Sequence, residues 1–112
     1  MTKAEDVKPA KWSSIKILFD NGDYSIITGL YDGWECLGER WNGKGHEIGF
    51  SSTRGHAQWH VVPEFLWVSV LQGALSEIDR NPYKSSKEYK KDIVTFLSKN
   101  LLADWIIIKE YI

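Results

Sequence analysis

The chain has one cysteine, no surplus of either charge and no long apolar run, and each shortage narrows what it can be. Cys36 alone cannot close an intramolecular disulfide, and no positively charged start leads into the apolar core of a secretion signal, so a reducing cytoplasm is the expected compartment. Fourteen basic residues against fifteen acidic ones leave a formal charge of −1. Nothing in that balance draws the chain as a whole toward a nucleic-acid backbone or an anionic membrane surface. The longest apolar stretches, such as Trp105 to Ile108, fall far below the ~20 residues that span a bilayer.

Signatures of chemistry are equally scarce. Gly43-Lys44-Gly45 lacks the following Lys-Ser/Thr of a phosphate-binding loop, and the chain has neither paired cysteines nor a His-Glu-x-x-His helix. His46, His56 and His60 lie close together. If 56–62 were one strand, His56, Gln58 and His60 would share a face, but hydrogen-bonded or solvated imidazoles are the simpler reading, so neither metal nor cofactor is expected. Cys36, between Glu35 and Leu37, reads as a packed strand residue rather than a nucleophile. Asp20, Asp23 and Asp32 flank tight turns, a role that already accounts for them. The expectation is a non-enzyme.

Aromatics are what the chain has in quantity: six Trp, five Tyr and four Phe among 112 residues. Apolar residues at 43% and charged residues at 26% are ordinary for a globular protein, and the length suits one core. Residues 1–11 carry Lys3, Glu5, Asp6, Lys8 and Pro9 and read as a flexible, solvated arm. Residues 12–112 read as a single α+β domain.

From Ser14 the pattern alternates. Ile15, Ile17 and Phe19 precede Asn21-Gly22, and Tyr24, Ile26, Thr28 and Leu30 follow it, which predicts a hairpin with a two-residue loop requiring positive φ. That register pairs Phe19 with Tyr24, Ile17 with Ile26 and Ile15 with Thr28. Asp32-Gly33 repeats the chemistry and places Trp34 opposite Tyr31 on a third strand to about Trp41, with Gly29 and Gly38 as expected bulges. Residues 42–55 hold four glycines and read as a long loop. Ala57, Trp59 and Val61 alternate as a short fourth strand.

Pro63 and Glu64 suit a helix start, and Trp67, Leu71, Ala74, Leu75 and Ile78 recur at helical spacing. Ser85 and Glu88 have the form of a capping box before Tyr89, Ile93, Phe96, Leu97 and Leu101. Helices are thus predicted around 63–79 and 86–101. Residues 105–112 read as a final strand, with a helical tail as the alternative. The fold class is α+β: an antiparallel meander of four or five strands with two helices of the C-terminal half packed on one face.

Trp59, Trp67 and Trp105 sit where a core needs volume, whereas Trp12, Trp34 and Trp41 lie at strand ends, where an aromatic is available as an interface anchor. The expected contact surface combines Trp34, Trp41 and Phe50 with Lys44, His46 and Arg54, together with His56 and His60. Two short runs, Trp41-Asn-Gly-Lys-Gly45 and Ala103-Asp-Trp105, resemble motifs in a family of phage anti-defence proteins; only those runs are alike, and no functional residue is carried over. The functional expectation is a protein–protein interaction module, a small bacterial or phage inhibitor of the immunity type acting on a toxin or other effector. A binding module for a small molecule or single-stranded nucleic acid, using the sheet and the 42–55 loop, is the alternative.

Overall fold

The computed structural model describes residues 1–100. The expected strand at 105–112 and the Trp105 and Leu101 readings lie outside the described residues. By its internal contacts the chain divides into two compact units, Met1–Trp67 and Val68 onward.

The first unit is built on three long antiparallel strands, β1 (Trp12–Asp20), β2 (Tyr24–Tyr31) and β3 (Trp34–Trp41). A two-stranded hairpin follows, β4 (Ser52–Thr53) with β5 (His56–Ala57), and then β6 (His60–Val62). The main sheet runs β1-β2-β3-β6. At the β2–β3 reversal Asp32 and Gly33 both adopt positive φ, 51° and 87°, as the two-residue turn requires. The register is unbroken from Tyr31 opposite Trp34 to Tyr24 opposite Trp41, so neither Gly29 nor Gly38 makes the expected bulge between these strands.

Both glycines instead admit Trp12. A Cβ at Gly38 would lie 3.0 Å from the Trp12 ring and 3.1 Å from Ile27, and one at Gly29 would lie 3.2 Å from the same ring. Trp12, expected to be partly exposed, is therefore buried. It meets Tyr31 at a ring separation of 5.3 Å and forms a core with Ala4, Val7, Ile27 and Trp59. The N-terminal segment is drawn into that core: Ala4 and Val7 are buried, and the Val7 carbonyl accepts the Trp59 indole N–H at 2.8 Å. A solvated arm was expected there because its few apolar side chains are isolated, yet two of them suffice to close the core over the sheet.

The β1–β2 hairpin forms, but with a different register. Asn21 does not adopt positive φ, and only Gly22 does, at 92°. The Asn21 side-chain oxygen accepts the N–H groups of Asp23 and Tyr24, which moves the turn along by one residue. Phe19 pairs with Ile26 and Ile17 with Ile27, while Lys16 rather than Ile15 faces Thr28. Irregularities between Ile17 and Phe19 and between Ser13 and Lys16 take up the difference. The first lets consecutive residues Leu18 and Phe19 both be buried.

The predicted fourth strand is broken at Gln58-Trp59, its halves serving β5 and β6. A 3₁₀ turn at Glu64–Leu66 follows, and Trp67 closes the unit by donating its indole N–H to the Val62 carbonyl at 2.8 Å. Pro63 precedes this turn and has an extended ψ of 140°, so it stands before the first helical residue rather than in it.

The second unit holds α1 (Trp67–Arg80, whose first residue belongs to the first unit) and α2 (Ser86–Asn100). Leu71, Ala74 and Ile78 on α1 and Ile93, Phe96 and Leu97 on α2 are buried, as their spacing predicts. The two helices pack together, with Lys90 and Asp79 paired across them at 2.7 Å. The fold is α+β, with a four-stranded antiparallel sheet and two C-terminal helices among the described residues. No helix among the described residues is long and apolar enough to cross a membrane.

Removing the ring that spans the two glycines should cost more than crowding it. Trp12→Ala is expected to lower unfolding stability by about 3–5 kcal/mol and Gly38→Ala by about 1–3 kcal/mol, read as urea midpoints. Equal, negligible losses would show that Trp12 does not organise the core.

Candidate functional site

Antiparallel alternation puts Glu35, Leu37, Glu39 and Trp41 on one face of β3 and Trp34, Cys36, Gly38 and Arg40 on the other. At the Trp41 end the sheet presents a row of three aromatics. Tyr24 lies opposite Trp41 on β2, their rings meeting edge-on at 4.7 Å. Phe50 returns on the other side, bridged to Trp41 by reciprocal backbone hydrogen bonds. Trp41 is 57% exposed and Phe50 66%.

The long loop expected over residues 42–55 is divided by the Trp41–Phe50 bridge. Residues 42–49 form a closed excursion whose neck passes through two glycines at positive φ. A Cβ at Gly43 would come within 2.4 Å of the Glu47 carbonyl oxygen and one at Gly49 within 2.0 Å of the Trp41 carbonyl oxygen, so no larger residue fits either position. Residues 52–57 then form the small β4–β5 hairpin, turned by Arg54 and Gly55 at φ 50° and 78°. Arg-Gly meets the same two-residue requirement as Asp-Gly, but arginine carries no side-chain oxygen to signal it.

Two buried polar side chains hold this end of the sheet. Asn42 accepts the Ser25 hydroxyl at 2.7 Å and donates to the Asp20 carboxylate at 3.1 Å and the Gly22 carbonyl at 3.0 Å. Its backbone N–H reaches the Asp23 carbonyl and its own carbonyl receives the Thr2 N–H, both at 2.8 Å. Arg40, 1% exposed, donates to the carbonyls of Ile48 at 2.6 Å and Gln58 at 3.3 Å, with a longer contact to Ser51 at 3.5 Å. Its Nη1 has no partner among the described residues. Burial lowers the Arg40 pKa, and the group still stays protonated because the intrinsic value is so high.

All eight residues expected to form the contact surface are exposed, but they do not converge. Trp41, Phe50 and Lys44 gather at the aromatic row, where Lys44, Asp23, Gly43 and Glu47 enclose a recess of about 240 Å³ beside Trp41. His46 belongs to the same excursion, and His60 lies opposite Glu39 on the Trp41 face. Arg54 and His56 line a different hollow, against the N-terminal segment. Trp34, 77% exposed, stands at the far end of β3 and on its other face, ~20 Å away at about 3.3 Å per residue. His56 and His60 are not on one strand, and no group of three or more metal-ligating side chains occurs among the described residues.

Sequence reasoning missed Tyr24, although the Asp32-Gly33 turn, extended down its strands, already places it opposite Trp41. Glu39 was missed with it. Burial, followed by the neighbouring Glu39 carboxylate, raises the Tyr24 phenol well above its ordinary range. Nothing in the sequence marks Arg40 or Asn42 as interior residues.

Because the folded protein binds the Tyr24 proton more tightly than the unfolded chain, this contribution is complete below the unfolded value of about 10 and is lost as pH rises through the higher folded value. Melting temperature should therefore fall on going above about pH 10, and Tyr24→Phe should flatten that fall. An unchanged alkaline slope in the variant would rule out the linkage. No protein-family model matches this chain, nor does any curated protein or solved structure resemble it significantly, so the functional reading rests on its own geometry.

Proposed function

We propose that the chain is a non-enzymatic protein-binding module whose contact centre is Trp41 and Phe50, backed by Tyr24. The observation that carries the reading is the pairing of two large aromatics, both more than half exposed, on a backbone that the Gly43–Gly49 neck and the Asn42 hydrogen bonds hold in place. Aromatic side chains bury ~150–250 Å² each, and at ~25 cal/mol per Å² covering two of them supplies several kcal/mol toward association. Preorganisation keeps the ordering cost low. Lys44, His46 and His60 with Asp23, Glu39 and Glu47 give the surroundings a mixed polar rim, as protein interfaces have.

A protein partner fits better than the alternatives expected from the sequence. The recess beside Trp41, about 240 Å³, is smaller than the ~300–1,000 Å³ of small-molecule pockets. A single-stranded nucleic acid would require a positive track, whereas Lys44 stands here with Asp23 and Glu47 and the whole chain is near neutral. A toxin or other effector, occluded by this surface in the manner of an immunity-type inhibitor, is the class of partner proposed. The cytoplasm is the proposed site of action.

Co-purification from the native host should yield a stoichiometric protein. Trp41→Ala with Phe50→Ala should weaken that association about a hundredfold or more while shifting the melting temperature little, since both side chains are exposed. Association unaffected by the double substitution, or a co-purifying oligonucleotide lost on raising the salt, would overturn the reading.

A further inference from the structure

A second hollow lies elsewhere in the first unit and plays no part in the proposed contact surface. It measures about 600 Å³ and is formed between the N-terminal segment and the β4–β5 hairpin. Lys8 comes from one wall, Arg54 and His56 from the other, and Asp6 is the one acidic residue lining it among the described residues. The hairpin sets the backbone position of Arg54, since its φ of 50° and that of Gly55 form the turn, and β5 runs straight on from it. The hollow falls within the size range of small-molecule pockets.

Behind the wall sits Arg40. The two carbonyls that accept its strongest hydrogen bonds belong to Ile48 and Gln58, and both residues line the hollow. Among the described residues, carbonyl oxygens are its only hydrogen-bond partners, no carboxylate pairs with it, and Nη1 is unpartnered. A buried cation with dipoles but no counter-ion leaves a positive field in a region of low dielectric, where it is screened least. Lys8 and Arg54 add to that field from the rim, and Asp6 opposes it alone.

We propose that this hollow is a binding site for a small anion, the carboxylate or phosphate group of a small organic molecule. Lys8 and Arg54 contact the anionic oxygens through charge-assisted hydrogen bonds, and Arg40 stabilises the bound charge from behind without touching it. The remaining volume, floored by Val7, Ile48 and Ala57, takes the apolar part of the molecule.

Amide chemical shifts followed while inorganic phosphate, and separately acetate, is added at constant ionic strength maintained with sodium chloride will test this. Saturable shifts are expected at Val7, Lys8, Gly55 and Gln58. A response to both probes supports the shared anion chemistry, and a response to one identifies which group the site prefers. Lys8→Ala with Arg54→Ala, both exposed and expected to fold, should weaken the affinity about tenfold or more, whereas Trp41→Ala with Phe50→Ala should leave it unchanged. Shifts that do not saturate, that fall outside the hollow, or that persist at full affinity in the Lys8/Arg54 variant would overturn the proposal, and none of these results bears on the aromatic contact surface.

Discussion

The hydrogen bonds of one buried amide, Asn42, govern how the first unit presents its surface. This residue follows the last residue of β3, where a regular strand would otherwise fray into a loop. Both side-chain ends and both backbone groups are engaged, with Ser25, Asp20, Gly22, Asp23 and Thr2. Each bond alone is worth about 1 kcal/mol net, but a satisfied buried network also selects one arrangement, because any other leaves polar groups unpaired away from water. The β1–β2 turn, the start of the chain and the exit from β3 are therefore one piece. The backbone of Trp41, next to Asn42, and that of Phe50, bridged to it, are anchored to this piece.

Arg40, two residues earlier and within β3, is the counterpart that is not satisfied. It holds Ile48, Ser51 and Gln58 by their carbonyls, gathering the chain that leaves β3 back toward the sheet. Yet a guanidinium has five donors, and a buried charge compensated only by dipoles is costly, of order several kcal/mol. Asn42 and Arg40 thus divide two tasks: the first is complete in itself and fixes geometry, while the second keeps a positive charge that meets only carbonyl dipoles among the described residues.

The sequence made the turns legible in proportion to how local their chemistry is. Asp32-Gly33 turned as read because both residues tolerate positive φ and nothing nearby competes. Asn21-Gly22 looked equally clear, but the Asn21 side chain found two backbone donors of its own and moved the turn, which broke the register that alternation alone had suggested. Gly29 and Gly38 were misread for another reason: a strand glycine signals either a bulge or a close approach, and only the position of Trp12, many residues away, decides between them. Burial of Ala4 and Val7 was hidden in the same way, since isolated apolar residues in a polar segment acquire meaning only from the surface they meet. Of the expected contact residues, Trp41 and Phe50 were brought together by a bridge that no periodicity announces, and Trp34 was sent to the opposite end by a register that the sequence did announce.

The tryptophans divide into those the core demands and those it leaves in solvent. Trp12, Trp59 and Trp67 are buried, and the indole N–H groups of Trp59 and Trp67 each meet a backbone carbonyl at 2.8 Å, which is what a core demands of so large an amphipathic ring. Trp41 touches Tyr24 at its edge and otherwise faces solvent beside Phe50. A fold that needed only to cap the end of a strand would be served by a smaller or polar residue, which would expose less apolar area and carry less risk of aggregation. Two large aromatics kept adjacent and more than half exposed, beside the hydrogen-bonded Asn42, are the departure from that economy on which the proposed contact surface rests.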